Sequence, residues 1–252
     1  MKRLLFIVLA MIATITSFAQ QKDVAMLSFS VDAQNLSTKE VSEAYAEAMK
    51  SDVTTFLGIP VDGTVSSMKQ KLIAKGFKQD SNMLSGQFNG QDVYLAIVAN
   101  KGKVWRVCVI NKTPVSEAQI RLQFNALVRQ FMNSTKYDNV KEYDPTIDES
   151  EDISHEMLVN NKEYEANFYQ KSRIEGDSIK WKEQFKLSYL KEHPNVSLKD
   201  IEAGCKVIFE LGKLIGKSSK HVWFTIRRNY YDSYNILYFY DNEYNKPNGE
   251  DL

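Results

Sequence analysis

The stretch from Met83 to Ile110 constrains the fold of this chain more than any other part of the sequence. Residues 83–88 lead into Asn89 and Gly90, a pair strongly favoured in two-residue hairpin turns, and residues 91–99 then alternate between the two faces of a strand. A second turn at residues 100–103 is followed by another apolar-rich run that ends at Ile110. This order predicts a three-stranded antiparallel meander.

Helical patterns lie on both sides of the meander. Upstream, Ser37 and Glu40 form a capping box for a helix, and a second helix is expected from about 64 to 75, with Gly76 as its stop. Downstream, the apolar residues within 116–132 have the spacing of one helix face.

The second half of the chain repeats the pattern. Residues 153–159 and 162–170 read as two strands of a hairpin after an acidic connector at 138–152, and a last hairpin runs from 222 to 242. The sequence therefore predicts an α+β fold, with a tandem repeat of helix plus antiparallel β-meander and helices on one face of the sheet. The expected division is a signal peptide at 1–19, a first α+β repeat at 20–113 and a second α+β repeat at 114–252.

A helical-hairpin insertion at 171–220 interrupts the second repeat. Its first helix presents Trp181, Phe185 and Tyr189 along one side, and its second helix follows Ser197. The second helix presents Leu198, Ile201, Cys205, Ile208 and Ile215. These stripes are too apolar to face water, so the insertion must pack on another part of the chain.

The first 19 residues have the features of a removable secretory signal. Lys2 and Arg3 precede an apolar run at 4–15, and small residues at Ser17 and Ala19 mark a cleavage site after Ala19. The mature chain is therefore expected in the periplasm or outside the cell. No later apolar run is long enough to cross a bilayer, so no membrane span is expected in the mature chain.

Charge and cysteine content limit the partners and the covalent framework. The chain has 32 basic and 32 acidic residues, and this balance gives no reason to expect a nucleic acid partner. Only Cys108 and Cys205 are present, so disulfides do not organise the fold. The sequence leaves two alternatives open, a disulfide between these cysteines or two buried free thiols. The oligomeric state also stays open.

The sequence contains no complete motif for catalysis, cofactor binding or metal binding. Residues 66–69 match the S-x-x-K pattern of β-lactamases and penicillin-binding proteins, but the companion elements of that pattern are missing from the positions it requires. His155, His193 and His221 lack the close spacing of a metal-binding pair, and the acidic connector lacks a calcium-loop pattern. No catalytic residue, cofactor or metal ligand is therefore assigned.

Alternation along the strands sorts their side chains into two faces, provided that the turns at 101–102 and 232–233 each contain two residues. One face is then largely aliphatic: Leu95, Ile97, Cys108 and Ile110 in the first hairpin, with Phe224, Ile226, Leu237 and Phe239 in the last. The other face carries the aromatic rings: Tyr94, Val98, Trp105 and Val107, with Trp223, Arg227, Ile236, Tyr238 and Tyr240. An aliphatic face suits a layer of helices, whereas tyrosine and tryptophan suit a half-wet surface.

Several short stretches of the chain carry a resemblance to known proteins. Residues 56–63, 72–77, 86–90, 124–137, 240–242 and 250–252 resemble the uncharacterised exported proteins common in Bacteroidetes, a resemblance that implies export and carries no activity. The helix-plus-meander repeat is also similar in outline to the tandem fold of β-lactamase inhibitor proteins, which present a concave sheet to a partner protein.

These observations favour a non-catalytic exported protein that binds a protein or peptide partner through the aromatic sheet face. Its expected anchors are Tyr94, Trp105, Trp223, Tyr238 and Tyr240, because aromatic side chains concentrate binding energy. The alternative for this face is that the helices of residues 171–220 cover it and the rings belong to the core. Two other functions stay open: an envelope hydrolase of cell-wall or glycan material that uses a carboxylate pair, and a structural envelope protein without a ligand.

Overall fold

A computed structural model of the chain describes residues 37–139, 144–172, 178–206 and 219–249. The predicted signal peptide lies outside the described residues. The chain divides into two compact units, a smaller one formed by 1–52 with 172–216 and a larger one formed by 53–171 with 217–252. This division differs from the expected boundary between residues 113 and 114, because the insertion groups with the start of the chain.

The helices and strands follow one another in a mixed order. The helices are α1 (Thr38–Ser51), α2 (Val65–Ala74), α3 (Glu117–Met132), α4 (Ile153–Val159) and α5 (Ser178–Glu192), and residues 198–206 are also helical. The strands are β1 (Thr55–Phe56), β2 (Ile59–Pro60), β3 (Lys78–Asp80), β4 (Met83–Phe88), β5 (Gln91–Asn100), β6 (Lys103–Asn111), β7 (Tyr137–Asn139), β8 (Glu165–Gln170), β9 (His221–Arg228) and β10 (Tyr234–Asp241).

Helix starts are fixed by side chains that accept the first free backbone N–H groups. Before α1, the backbone N–H and the hydroxyl of Ser37 both donate to Glu40, at 2.7 and 2.8 Å, and the N–H of Glu40 donates back to the Ser37 hydroxyl at 3.3 Å. Ser116 and Gln119 form the equivalent box before α3. The helices expected after Ser37, between 64 and 75, and within 116–132 are therefore confirmed.

The smaller unit has a core of its own. Val41 and Tyr45 of α1 pack against one side of α5, with the rings of Tyr45 and Trp181 5.8 Å apart. The buried residues of this core also include Phe185, Tyr189, Ile201 and Cys205. The apolar stripes predicted for the insertion are thus buried, except that Leu198 is 56% exposed. Ile208 and Ile215 lie outside the described residues.

The larger unit is built on one antiparallel sheet of eight strands, in the order β3-β4-β5-β6-β10-β9-β8-β7. The predicted meander is confirmed as β4, β5 and β6, and both residues of the Asn89 and Gly90 turn have positive φ, at 47° and 74°. Helices α2 and α3 pack on the same face, where Leu72 and Phe124 are completely buried. The α+β class is confirmed, and each half of the sheet follows a helix, but a repeat relation between the halves stays a prediction.

One predicted strand is wrong. Residues 153–159 form α4 rather than the first strand of a hairpin, because their environment caps a helix. The side chain of Asp152 accepts from the N–H of His155 at 2.8 Å, and Glu117 of α3 accepts from the N–H of Ile153 at 3.0 Å. The second strand of that predicted hairpin is confirmed, although it begins at Glu165 rather than at residue 162.

Cys108 and Cys205 are both buried free thiols, so the question of a bridge resolves in favour of free cysteines. No helix within the described ranges combines the length and hydropathy needed to span a bilayer.

Candidate functional site

The sheet of the larger unit has an inner face, packed under α2 and α3, and an outer face on its other side. Residues of the inner face include Leu95, Val107, Val109, Phe224 and Tyr238, each no more than 2% exposed. The outer face carries Tyr94, Ala96, Val98, Arg106, Cys108, Ile110, Asn167, Tyr169, His221, Trp223, Thr225, Arg227, Leu237, Phe239 and Asp241. Most of these are half-buried, and Val98 and Arg227 are exposed.

A β-bulge in the first hairpin reverses part of the predicted face assignment. The turn at Lys101 and Gly102 has two residues as expected, but pairing then shifts, with Ala99 opposite Val104, Val98 opposite Arg106, and Trp105 as the extra residue. One inserted residue moves every later side chain of the strand to the opposite face. Cys108 and Ile110 therefore lie beside Tyr94 on the outer face, and Val107 lies with Leu95 and Ile97 on the inner face, which corrects the prediction for all three.

The last hairpin departs from the predicted assignment for a related reason. Its loop contains five residues, 229–233, because Arg228 pairs with Tyr234. An odd loop length exchanges the faces of one strand relative to the other. Ile236, Tyr238 and Tyr240 consequently lie with Phe224 and Ile226 on the inner face, while Leu237 and Phe239 lie with Trp223 and Arg227 on the outer face.

The five expected anchors separate into two groups. Tyr238 and Tyr240 are 2% and 4% exposed and belong to the core, so their prediction as binding residues is wrong. Burial raises the pKa of both phenols, and Tyr240 also bonds Tyr137. Tyr94, Trp105 and Trp223 are half-buried on the outer face.

Six planar side chains of the outer face form one continuous column, which we call the stack: Trp105, Arg106, Phe239, Trp223, His221 and Tyr169. The guanidinium carbon of Arg106 lies 4.3 Å from the ring centroid of Trp105 and 4.6 Å from that of Phe239. The rings of Phe239 and Trp223 are 4.1 Å apart at 23°. The ring of His221 follows at 6.1 Å from Trp223, and that of Tyr169 lies 5.3 Å beyond it. The stack crosses the neighbouring strands β6, β10, β9 and β8.

A buried carboxylate holds the centre of the stack in place. Asp241 is 1% exposed and accepts two bonds from Arg106, from Nε and Nη2 at 2.6 Å each. It also accepts from the indole N–H of Trp223 at 3.0 Å. A two-pronged guanidinium–carboxylate pair fixes orientation as well as charge, so Asp241 orients both side chains.

The imidazole of His221 has polar neighbours at both of its ring nitrogens. Its Nε2 lies 2.9 Å from Oδ1 of Asn167, and its Nδ1 lies 3.8 Å from Glu243. Glu243 also pairs with Lys246 at 3.1 Å. The bond from His221 and then the pairing with Lys246 lower the pKa of Glu243.

His221, Asp241 and Glu243 bring their potential metal-ligand atoms within 4.8 Å of one another. The donor set does not fit a metal ion, because both Asp241 oxygens accept from Arg106 and a divalent cation would stand beside that guanidinium. These hydrogen bonds also give no support to a carboxylate-pair hydrolase at this site. A buried Asp241 that accepts two bonds from Arg106 is not available for proton transfer.

Part of the outer face beside the stack is apolar. Ala96 and Ile110 are half-buried, and burial raises the pKa of the Cys108 thiol to about 11, so Cys108 is not a reactive thiolate. Near this surface the ammonium nitrogen of Lys112 lies 4.4 Å from the ring centroid of Tyr94. Within the described residues, Lys112 and Arg227 form none of the observed ion pairs.

A second concentration of charge lies in the smaller unit, in an open groove between α5 and residues 198–206. Its lining residues are Lys182, Glu183, Lys186, Lys199, Glu202, Ala203 and Lys206. Lys186 pairs with Glu202 at 3.1 Å, and the Glu202 side chain is 60% exposed. Mixed charges that face water and pair with one another describe a solvated surface rather than a site.

Sequence reasoning missed Arg106, Phe239, His221 and Tyr169 as members of the site. Phe239 was placed on the other face because of the loop length, and His221 was weighed only as a metal ligand. No glycine marks the bulge that brings Arg106 beside Trp105. Comparison of the chain with protein-family models, with curated proteins and with solved structures finds no match.

Proposed function

We propose that this protein is an exported, non-catalytic binding protein that recognises a protein or peptide partner through the outer face of its sheet. The stack is the observation that carries this proposal. Tryptophan, tyrosine and arginine are the residue types most enriched among the energetic hot spots of protein interfaces. Here Asp241 orients Trp223 and Arg106 before any partner arrives, which lowers the entropy lost on binding.

The orientation of the rings favours a protein partner over a glycan. Neighbouring planes are nearly parallel, at 23° for Phe239 and Trp223 and 15° for Trp223 and His221. Phe239 and Trp223, whose centroids are 4.1 Å apart, cover part of each other's faces. Ring edges are weakly positive and attract carbonyl and carboxylate oxygens, whereas a sugar ring would stack on a free aromatic face.

The charges of the outer face indicate what the partner carries. Arg106 and Asp241 neutralise each other, Asp92 accepts from Gln87, and Glu165 already takes part in another interaction. Lys112 and Arg227 form none of the observed ion pairs and can pair across an interface, whereas Asp92 accepts from a neutral amide and keeps its negative charge. The partner segment is therefore expected to place apolar side chains over Ala96 and Ile110 and carboxylates opposite the two cations.

Selection from a random peptide display library tests this proposal, with mature protein beginning at Gln20 as the immobilised target. Selected peptides are expected to combine apolar and acidic residues. Their affinity for Trp105→Ala and Tyr169→Ala, the two ends of the stack, is expected to fall about ten-fold or more.

Tyr230→Ala is the matched control, because this ring is 89% exposed and lies outside the stack. The control is expected to bind like the wild type. Peptides that bind both stack variants as tightly as the wild type would overturn the proposed site. Failure to enrich any peptide would also count against it and favour a structural role. Far-UV circular dichroism verifies that each variant is folded.

A further inference from the structure

We propose that His221 makes the outer face pH-sensitive, so that protonation of its imidazole orders the stack and strengthens partner binding. The inference rests on the proposed function for the binding step. The ordering step concerns the protein alone and is tested without a partner.

The position of His221 in the stack is the first argument. Its ring is held between those of Tyr169 and Trp223, at interplanar angles of 27° and 15°. A cation placed against the faces of aromatic rings is attracted by their negative π surfaces. Protonation of the imidazole therefore adds an attraction to the Tyr169 ring, 5.3 Å away, where the neutral ring has only stacking.

The polar neighbours of His221 act in the same direction. When Nε2–H donates to Asn167, the unprotonated Nδ1 directs a lone pair towards the carboxylate of Glu243 at 3.8 Å. Protonation of Nδ1 replaces this repulsion with an ion pair. The other charged groups nearby are Asp241, which is bound to Arg106, and Lys246, which shares Glu243 and moderates the gain.

Ordering of the imidazole extends to the rest of the site through shared contacts. Trp223 contacts His221 on one side and Phe239 on the other, and its N–H is bonded to Asp241. A cation at His221 also adds positive charge to the face that carries Lys112 and Arg227. An acidic partner is then bound more tightly in weak acid for two reasons, preorganisation and charge.

Near-UV circular dichroism of the tryptophans tests the ordering step on the protein alone, from about pH 8 to about pH 5.5. The wild-type signal is expected to change with a single midpoint. His221→Phe keeps a ring in the column but does not titrate, so its signal is expected to stay flat. Glu243→Gln removes the facing carboxylate, so its midpoint is expected at lower pH.

His155→Phe is the matched control, because this exposed histidine lies on α4 outside the stack. Its variant is expected to titrate like the wild type. A wild-type signal that does not change, or one that survives in His221→Phe, would overturn the switch.

Affinity for a library-selected peptide tests the binding step. We expect about five-fold tighter binding to the wild type at the acidic end, a ratio lost in His221→Phe. Peptide binding that does not change with pH would overturn the proposed coupling between His221 and the partner. A titrating spectrum without any selectable peptide would count against the proposed function and leave the ordering step supported.

Discussion

At the scale of single residues, Asp241 determines more of the outer face than any ring does. The carboxylate is 1% exposed, and a buried charge is tolerated only when it is paired and fully hydrogen-bonded. Arg106 and Trp223 supply those bonds, and their own positions follow from them. The order of the stack therefore depends on one acidic side chain that has no exposed surface for a partner.

Asp241→Asn keeps the shape of the side chain and removes its charge. The half-buried Arg106 then loses its counter-ion, and we expect the free energy of unfolding to fall by about 2 kcal/mol. Near-UV circular dichroism is expected to lose the contribution of the stacked tryptophans. Asp92→Asn, an exposed carboxyl of the same face, serves as the control in urea unfolding; equal losses in the two variants would contradict the argument.

Sequence alone does not decide which rings of β10 face outward. Tyr238, Phe239 and Tyr240 are consecutive aromatic residues, so alternation always places rings on both faces. The choice depends on the five-residue loop before Tyr234, and nothing in residues 229–233 distinguishes it from a two-residue turn with longer strands. The predicted face of Trp223 is the outer one, as observed. Tyr238 and Tyr240 were predicted on that face and lie on the inner one, and the reverse holds for Phe239.

At the scale of elements, sequence reasoning succeeds where local signals act and fails where tertiary contacts decide. Capping side chains at Ser37 and Ser116 and the turn at Asn89 are local, and the helices and hairpin that they predict form. Residues 153–159 form α4 because the adjacent Asp152 and Glu117 of α3 both accept from N–H groups at their start, and the second of these contacts is tertiary. The bulge at Trp105 is likewise set by the strands around it.

Gly86, in the interior of β4, allows the buried Phe77 ring to pack closely on the strand. A Cβ added to this strand residue would lie 2.6 Å from the ring of Phe77, which follows α2 and is 4% exposed. Gly86→Ala is expected to lower the free energy of unfolding by about 1 to 3 kcal/mol, because the buried ring must shift. Urea unfolding measures the loss, and Ser85→Ala on the neighbouring, opposite-facing position is expected to change stability by less than about 0.5 kcal/mol. A similar effect of both variants would contradict the proposed clash.

At the scale of the whole molecule, each compact unit buries its own set of apolar side chains. Phe185 belongs to the core of the smaller unit and Phe224 to that of the larger one. The chain order does not reveal this grouping, since residues 171–220 are predicted as an insertion in the second repeat, whereas α5 within them packs with α1. Apolar stripes identify what must be buried but not the partner that buries it.

Two carboxyl groups of the larger unit, those of Glu151 and Glu243, contribute to its stability in acid. Bonds from Lys162 and Tyr164 lower the pKa of Glu151, and those from His221 and Lys246 lower that of Glu243. In the unfolded chain both carboxyls return to about 4.3, so the unfolded state binds more protons as the pH approaches that value. Their contribution to stability is therefore complete above about pH 4.3 and is lost as the pH falls through the lower folded-state values.

We expect Glu151 and Glu243 to change the free energy of unfolding little between about pH 7 and about pH 5. Below about pH 4.3, their protonation is expected to lower it. The double variant Glu151→Gln with Glu243→Gln is expected to be less stable at neutral pH and to show a shallower decline in acid.

Asp92→Asn is the control and should follow the wild-type decline, because no charged donor pairs with that carboxyl in the described structure. Urea unfolding at a series of pH values measures the slopes, and an unchanged slope in the double variant would show that other carboxyls determine the acid limit.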